Sequence, residues 1–362
     1  MRLSPFQSKS LVGLDIGHHA IKAVSMDRTS TGWRIGRTGS VPTPPESIKD
    51  GVVIDQAAVA EAIKALMREA RIGANGAIIA VAGGTVVCRI VRIPKMPEAT
   101  LRKSIKFEAS RYVPNSAEDS YIEFEIVGYS EDGQMDVLIV AAPRDIVESR
   151  VMACQAAGLD VEIVDIGAFA AYRSLVEADQ LQNYSDTTIA LVDIGSTTTN
   201  MSIVECGVFT MTRTINQGGQ TLTEALKQYF KLSSEDAESG KSQLDVSELI
   251  NDKAPKENPP LRVIQPHLDE LVREIRRSLN YYQSQQKEGA QANAVSQILL
   301  CGGSAAMKGL PEYIEHKLGI PTTAAKLSSN PRMICPEPER PAAEYDLAVA
   351  AGLAMRAHAK AA

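Results

Sequence analysis

Two short stretches carry the residue types that handle phosphate. Val12–Gly17 reads VGLDIG and Leu191–Gly195 reads LVDIG, so in each an apolar, strand-type run ends in Asp-Ile-Gly. A second strand-like run follows each after a few small or polar residues, Ala20–Val24 (AIKAV) and Asn200–Val204 (NMSIV). Glycine in such a turn lets backbone approach a ligand closely and tolerates positive φ. Successive N–H groups form an anion-binding nest there, and an adjacent carboxylate can hold a metal. Two such hairpins facing each other would clasp a metal-bound polyphosphate. One apolar-Asp-apolar-Gly run alone is an ordinary hairpin signal. Its repetition, with Asp15 and Asp193 178 positions apart, is what suggests a nucleotide. A third element, Ile298–Ser304 (ILLCGGS) with Met307–Pro311 behind it, reads as buried strand, double glycine and helix N-cap. That order suits backbone contact with a nucleoside or phosphate, and read alone suits a tight β–α turn equally well.

The elements that must position these turns follow from periodicity. Trp33 to Val41 continues a strand meander that Pro42–Pro45 (PTPP) breaks, and Gln56 to Arg71 has helical apolar spacing at Val59, Ile63, Leu66 and Met67. Ala77 to Ala82 reads as a buried strand. From Gly84 to about Leu159 the pattern becomes strand (Val86–Ile93), helix (Glu98–Tyr112), two strands (Tyr121–Tyr129, Met135–Ala142) and helix (Arg144–Ala157), a compact α+β unit. Leu159 to Val164 reads as a strand and Phe169 to Glu177 as a linking helix. Beyond Thr187, Leu222–Phe230 and Pro266–Gln283 are the clearest helices, with proline-rich loops at Pro255–Pro260 and Asn330–Pro341 and an alanine-rich helix over Ala342–Ala359.

Composition narrows the class. At 362 residues the chain exceeds one ordinary core, and two lobes are expected. A net charge of −6 excludes a broad basic surface for nucleic acid. Cys88, Cys154, Cys206, Cys301 and Cys335 are odd in number and scattered without a Cys-x-x-Cys, which argues for reduced thiols rather than disulfides or zinc. Met1–Ser10 lacks a signal-peptide core, and no run approaches the ~18 apolar residues needed to span a membrane.

The ordered set of two hairpins and a late Gly-Gly turn resembles the actin-like ATPase superfamily, an α/β fold of two lobes with one phosphate hairpin each. Within it the chain resembles the type IV pilus assembly protein PilM family, relatives of the division protein FtsA, over about residues 10 to 358. The segments that carry this are Phe6–Lys9 (FQSK), Asp50–Asp55 (DGVVID), Val91–Glu98 (VRIPKMPE), Ile105–Glu108 (IKFE), Tyr112–Pro114, Gly218–Thr223 (GGQTLT) and Tyr345–Leu353 (YDLAVAAGL). The resemblance implies a first lobe over 10–186 with an FtsA-type partner-binding subdomain inserted at about 84–158. A second lobe follows over 187–340, and a C-terminal helix over 341–362 returns to the first lobe.

The resemblance also implies ATP and Mg as cofactors. Asp15 and Asp193 would face the Mg through water, and Lys22 would contact β- or γ-phosphate oxygens. Gly17, His18 and His19 would form the first phosphate turn, and Gly195, Ser196, Thr197 and Thr198 the second. Gly218 and Gly219 would approach the phosphates, Glu238 and Lys241 the ribose, and Gly302, Gly303, Ser304 and Met307 the adenosine. A surface ion pair is the competing role for Glu238 and Lys241.

Two departures stand out. His18-His19 replaces the usual Ser or Thr; adjacent strand residues face opposite ways, so a metal site is not expected of the pair. Gly167 and Ala168 stand where relatives often carry Glu-Pro, and without a water-orienting carboxylate ATP turnover should be weak or absent, unless Asp165 substitutes.

The implied function is a cytoplasmic ATP-binding scaffold of type IV pilus or related secretion-system assembly, peripheral to the inner membrane through its partner. That partner is an inner-membrane protein similar to PilN, whose short cytoplasmic N-terminal segment would enter a groove between the first lobe and the inserted subdomain. Val91, Ile93, Met96, Leu101 and Ile105 are candidates for the groove, and equally for helix and strand core. Pilus motor components and a homo-oligomer are further implied contacts. The alternatives are a small-molecule kinase of the same fold and an FtsA-like filament protein. No second-substrate motif supports the first, and the alanine-rich, weakly basic C-terminus lacks the membrane helix of the second.

Overall fold

The computed structural model describes residues 10–113, 116–130, 132–179, 184–250, 258–285, 294–336 and 343–358. Phe6–Lys9, Pro114 and the parts of the two proline-rich loops at 255–257 and 337–341 lie outside the described residues.

Two mixed sheets form the lobes. The first runs in the order Asp160–Ile166, Gly76–Val81, Leu11–Ile16, Ala20–Arg28, Trp33–Pro42, Met333–Ile334. The second runs Val208–Ile215, Thr199–Glu205, Thr188–Ile194, Gln297–Cys301, Thr322–Ala324. Each has an antiparallel hairpin at its centre flanked by a parallel strand, so the repeat read in the sequence is a repeat of topology. Gly76–Val81 is buried at every residue, as a parallel strand covered on both faces must be. Helix Gln56–Glu69 starts at Asp55, whose carboxylate accepts from Ala58 N at 2.9 Å, and buries Val59, Ile63 and Leu66 on the first sheet.

The inserted unit is a three-stranded antiparallel sheet, Val87–Pro94, Gln134–Pro143, Ser120–Tyr129 in spatial order, with helices Glu98–Ala109 and Arg144–Ala156. One face packs under the first of these helices. Val91, Ile93, Leu101 and Ile105 are buried there with Met135, Val137 and Ile139, and Met96 is half-buried against them. The expectation that they line a partner surface is therefore corrected: they are the core of the subdomain. The alternation that puts Val91 and Ile93 on one face is the same alternation that makes Cys88 and Ile90 the open face.

Three further boundaries differ from expectation. The long helix of the second lobe begins at Pro259, seven residues early, because Pro259 and Pro260 occupy first-turn positions that need no N–H. Part of the second proline-rich loop forms the edge strand Met333–Ile334. The alanine-rich C-terminal segment is two pieces, Ala343–Asp346 and Ala348–Arg356, separated at Leu347.

The helix Ala348–Arg356 lies across the first lobe between the strand Leu11–Ile16 and the helix Gly167–Leu175. Backbones approach closely there, since a methyl on Gly13 would overlap Ala350 O and one on Gly352 would overlap Ala170 O. One apolar cluster joins Val24, Met26 and Ile35 of the first lobe to Leu191, Val204, Leu299 and Cys301 of the second through Ala350, Ala354 and Met355. The joint is fastened by the Tyr172 hydroxyl, which donates to Gly207 O at 2.6 Å, and by edge-to-face Phe169 and Phe209 with centroids 4.8 Å apart. All five cysteines are free thiols, and Cys154 and Cys301 are buried.

Candidate functional site

The two Asp-Ile-Gly turns have the same construction. Gly17 N donates to Ala20 O at 3.1 Å, and Gly195 N donates to Thr198 O at 3.0 Å. Antiparallel register places Lys22 opposite Asp15, and the ammonium reaches that carboxylate at 2.8 Å and Asp346 O at 3.2 Å. Burial acts to lower the Lys22 pKa, but Asp15, Asp346 and Asp193 more than offset it and hold the ammonium charged. Burial, with Asp15 and Asp346 adding to it against the pull of Lys22, pushes the Asp193 carboxyl up to about 6. Three carboxylates around one ammonium leave an excess of negative charge. That donor set suits a divalent cation held through its water shell, since no group of three or more His, Cys, Asp or Glu among the described residues is gathered closely enough to ligate one directly.

The second lobe gathers the remaining candidates. Gly218 is fully extended, and a methyl on it would strike Ser196 O and Gly195 O at 2.5 and 2.6 Å. Gly219 N and Gln220 N donate to Gly195 O and Ser196 O at 2.9 and 2.8 Å, clamping the helix Gly219–Phe230 onto the second turn. Lys241 is buried and donates to Glu238 at 2.7 Å, Thr223 Oγ1 at 2.9 Å and Gly219 O at 3.3 Å, while Thr223 donates to Glu238 at 2.6 Å. Glu238 and Lys241 are thus more than a surface ion pair. A methyl on Gly219 would overlap Ser304 Oγ, and one on Gly302 would overlap Asp193 Oδ1, so the third turn closes onto both. Gly302 has φ of +87°, which glycine alone adopts readily, and its N–H donates to Tyr345 O at 2.9 Å. Met307 is buried beneath this turn.

Burial opposes ionisation of Glu238, but Lys241, Thr223 and the charge of His19 outweigh it and lower its pKa. A depressed carboxylate stabilises above its unfolded pKa and loses that contribution as pH falls through the folded one. Glu238→Gln should therefore lower the thermal midpoint at pH 7, an effect that fades as pH falls below about 4 and through the lowered folded pKa, which differential scanning fluorimetry across pH would read. An equal loss at both ends would mean that packing, not charge, is what the glutamate supplies.

Sequence reasoning missed three residues. Asp346 reaches the cleft from the penultimate helix. Thr43 ties the first turn to the following loop, its hydroxyl donating to Gly17 O at 2.6 Å and its N–H to His19 O at 3.0 Å. Arg150, buried on the helix Arg144–Ala156, donates to Gly51 O, while its neighbour Ser149 accepts from Val53 N at 3.1 Å. Burial pulls the Arg150 pKa down to about 10, and burial first, with the Arg150 charge second, lowers that of His18 against Asp15 and Asp50. Nothing in local spacing signals any of the three, because each acts across many residues of chain.

Gly167 and Ala168 open the helix Gly167–Leu175 without a polar side chain. Asp165 lies 3.0 Å from the Arg173 guanidinium as a half-buried ion pair that is not a well-aligned hydrogen bond.

Matched Asp-Ile-Gly turns on two lobes that share one apolar base, with a third Gly-Gly turn closing on them, define a protein of the actin-like ATPase fold. A solved structure of MreB5 of Spiroplasma citri bound to AMPPNP shares the fold at 13% identity and a TM-score of 0.50, over 90% of this chain and 93% of that one. More specifically, the chain belongs to the PilM family: the family described as type IV pilus assembly protein PilM matches residues 13–358. It is similar to a solved PilM–PilN type IV pilus biogenesis complex at 26% identity and a TM-score of 0.83, over 96% of this chain and 98% of that one. FtsA of Bacillus subtilis is 21% identical over 260 residues, which cover 64% of this chain and 57% of that protein.

Proposed function

We propose that this chain is an ATP–Mg-loaded scaffold of type IV pilus assembly that hydrolyses ATP slowly and captures the N-terminal segment of a PilN-like membrane protein. The observation that carries the nucleotide half is the pair of identically hydrogen-bonded turns, Gly17 to Ala20 and Gly195 to Thr198, with Lys22 between their aspartates. Asp15 and Asp193 would face the cation through water, the two turns the phosphates, Glu238 and Lys241 the ribose, and Gly302 to Ser304 with Met307 the adenosine. Slow turnover is supported by the absence of a polar side chain at Gly167 and Ala168 and by the engagement of Asp165 with Arg173. Calorimetry with ATP–Mg and a phosphate-release assay test both parts: tight binding with negligible release is expected, and brisk release would make this a cycling ATPase.

For the partner, the open face of the inserted sheet replaces the residues chosen from sequence. Cross-strand pairing puts Cys88 and Val140, then Ile90 and Leu138, side by side, all half-buried, with Glu123 and Glu125 exposed along the same face. Val86 and Val140 pack against the same apolar cluster as Val52, Phe169 and Phe209, which supports this face as one wall of the partner groove. An extended, apolar segment bearing positive charge fits it, with alternate side chains entering the wall. Leu138→Glu is expected to weaken binding of a PilN-like N-terminal peptide at least about tenfold while leaving ATP affinity unchanged, as fluorescence anisotropy and calorimetry would report. Unchanged peptide binding would move the partner elsewhere. The reading places the protein in the cytoplasm, held at the inner membrane by this partner; among the described residues no helix is long and apolar enough to cross a membrane.

A further inference from the structure

The inserted subdomain is electrically polarised, and its basic side is shaped for a soft surface. Residues 95–111 hold Lys95, Arg102, Lys103, Lys106 and Arg111 against Glu98 and Glu108, a surplus of three positive charges in a chain of net charge −6. The helix Glu98–Ala109 buries Leu101, Ile105 and Ala109 on the sheet, so helical spacing turns Arg102, Lys103, Lys106 and Phe107 outward, all of them exposed. Arg102 pairs with Glu98 at 2.9 Å and Arg111 with Glu108 at 3.5 Å, whereas Lys103 and Lys106 have no ion pair among the described residues. Two rings stand out of this basic field: Phe107 is 66% exposed with Arg111 over it at 5.5 Å, and Tyr129 is 62% exposed with Lys95 over it at 5.0 Å. A shift of register between Ile126 and Gly128 sets Tyr129 opposite buried Met135, hence on the helix side of the sheet. Away from this side, Glu118, Asp119, Glu123, Glu125 and Glu148 are exposed.

We propose that the outer face of the helix Glu98–Ala109, with Phe107 and Tyr129 as wedges among exposed lysines, docks directly on an anionic phospholipid surface. The face is the convex side of a helix, which offers an acidic peptide no recess in which to bury itself. A fluid headgroup layer instead deforms around projecting rings, accepts the lysine stems and neutralises their ammonium groups. The acidic side of the subdomain repels the same surface, so the dipole fixes which side approaches. One patch of this size is a weak anchor by itself. Beside a membrane-tethered partner it becomes an intramolecular second contact. The inference does not depend on the nucleotide reading.

The test is co-sedimentation of the full chain with phosphatidylcholine vesicles that contain or lack phosphatidylglycerol, without nucleotide or partner. Binding only to the phosphatidylglycerol vesicles is expected, weakening as salt rises. A double variant, Lys103→Glu with Lys106→Glu, should lose at least about tenfold in apparent affinity, and Phe107→Ser should lose part of it at unchanged charge. Both variants change only exposed side chains, and unchanged thermal midpoints would verify their folds. Equal binding by wild type and the double variant would overturn the proposal. So would a wild type that ignores both vesicle types, and its retention on immobilised polyglutamate in that case would point to an acidic protein partner instead.

Discussion

Asparagine at position 193 is expected to stabilise the ligand-free protein and, in the same molecule, to abolish ATP–Mg binding. Asp193 sits in the cleft with Asp15 and Asp346 as like charges against Lys22, and burial holds its pKa near 6. A carboxylate whose folded pKa is raised contributes most below its unfolded value, near 4, and loses that contribution as pH rises through 6. At pH 7.5 the native state therefore carries a strained charge that Asp193→Asn removes at constant shape. The gain should be on the order of 1–2 kcal/mol, shrinking steadily below pH 6 and absent below pH 4. The same change removes one of the two carboxylates proposed to hold the cation, so affinity for ATP–Mg should fall by about a hundredfold or more. Thermal melts across pH and calorimetry on one preparation read both effects. A destabilised variant that still binds ATP would mean that Asp193 merely braces the Gly195 turn.

Valine at position 352 is expected to prevent folding. Gly352 lies on the C-terminal helix where the backbone of the helix Gly167–Leu175 crosses it, and a side chain would meet Ala170 O, C and Cα, none of which can rotate away. Displacing two helices and the strand beneath them should cost more than about 3 kcal/mol, enough to leave the protein insoluble or proteolysed. Gly240→Ala is the control. Gly240 lies within the helix Ser234–Ser242 with open space around it, and alanine there should stabilise by roughly 0.5–1 kcal/mol through helix propensity. Solubility and thermal midpoints of the pair check this. A soluble Gly352→Val protein of normal stability would mean that the helix crossing is looser than its backbone contacts indicate.

Local chemistry was readable from the sequence wherever it is written locally. The Asp-Ile-Gly runs marked both turns, and the spacing of Glu238 and Lys241 put both on one helical turn. Lys22 was read from its place five residues beyond Gly17 as a phosphate contact, and its pairing with Asp15 came only with the strand register. Periodicity told strands from helices through the inserted unit within a residue or three. It could not say which side of a two-sided element lies open. Val91, Ile93, Leu101 and Ile105 make a regular apolar stripe, and a stripe is the same pattern whether a helix or a partner covers it. The early start of the helix at Pro259 was hidden by reading three prolines as a loop, although two of them sit in its first turn. Asp346, Thr43 and Arg150 escaped because tertiary contact alone brings them to the turns.

The apolar base that unites both lobes also bears on how the protein is made. Its wedge, Ala350 to Met355, leaves the ribosome long after Leu11–Ile16, the strand whose surface it seals. Until that wedge emerges, the sheet that holds Leu11–Ile16 must wait with its groove unfilled, presenting apolar surface to solvent. Emergence of this helix, rather than of either sheet, is then the moment of maturation, and nascent chains stalled short of Ala348 are expected to be held by chaperones or degraded.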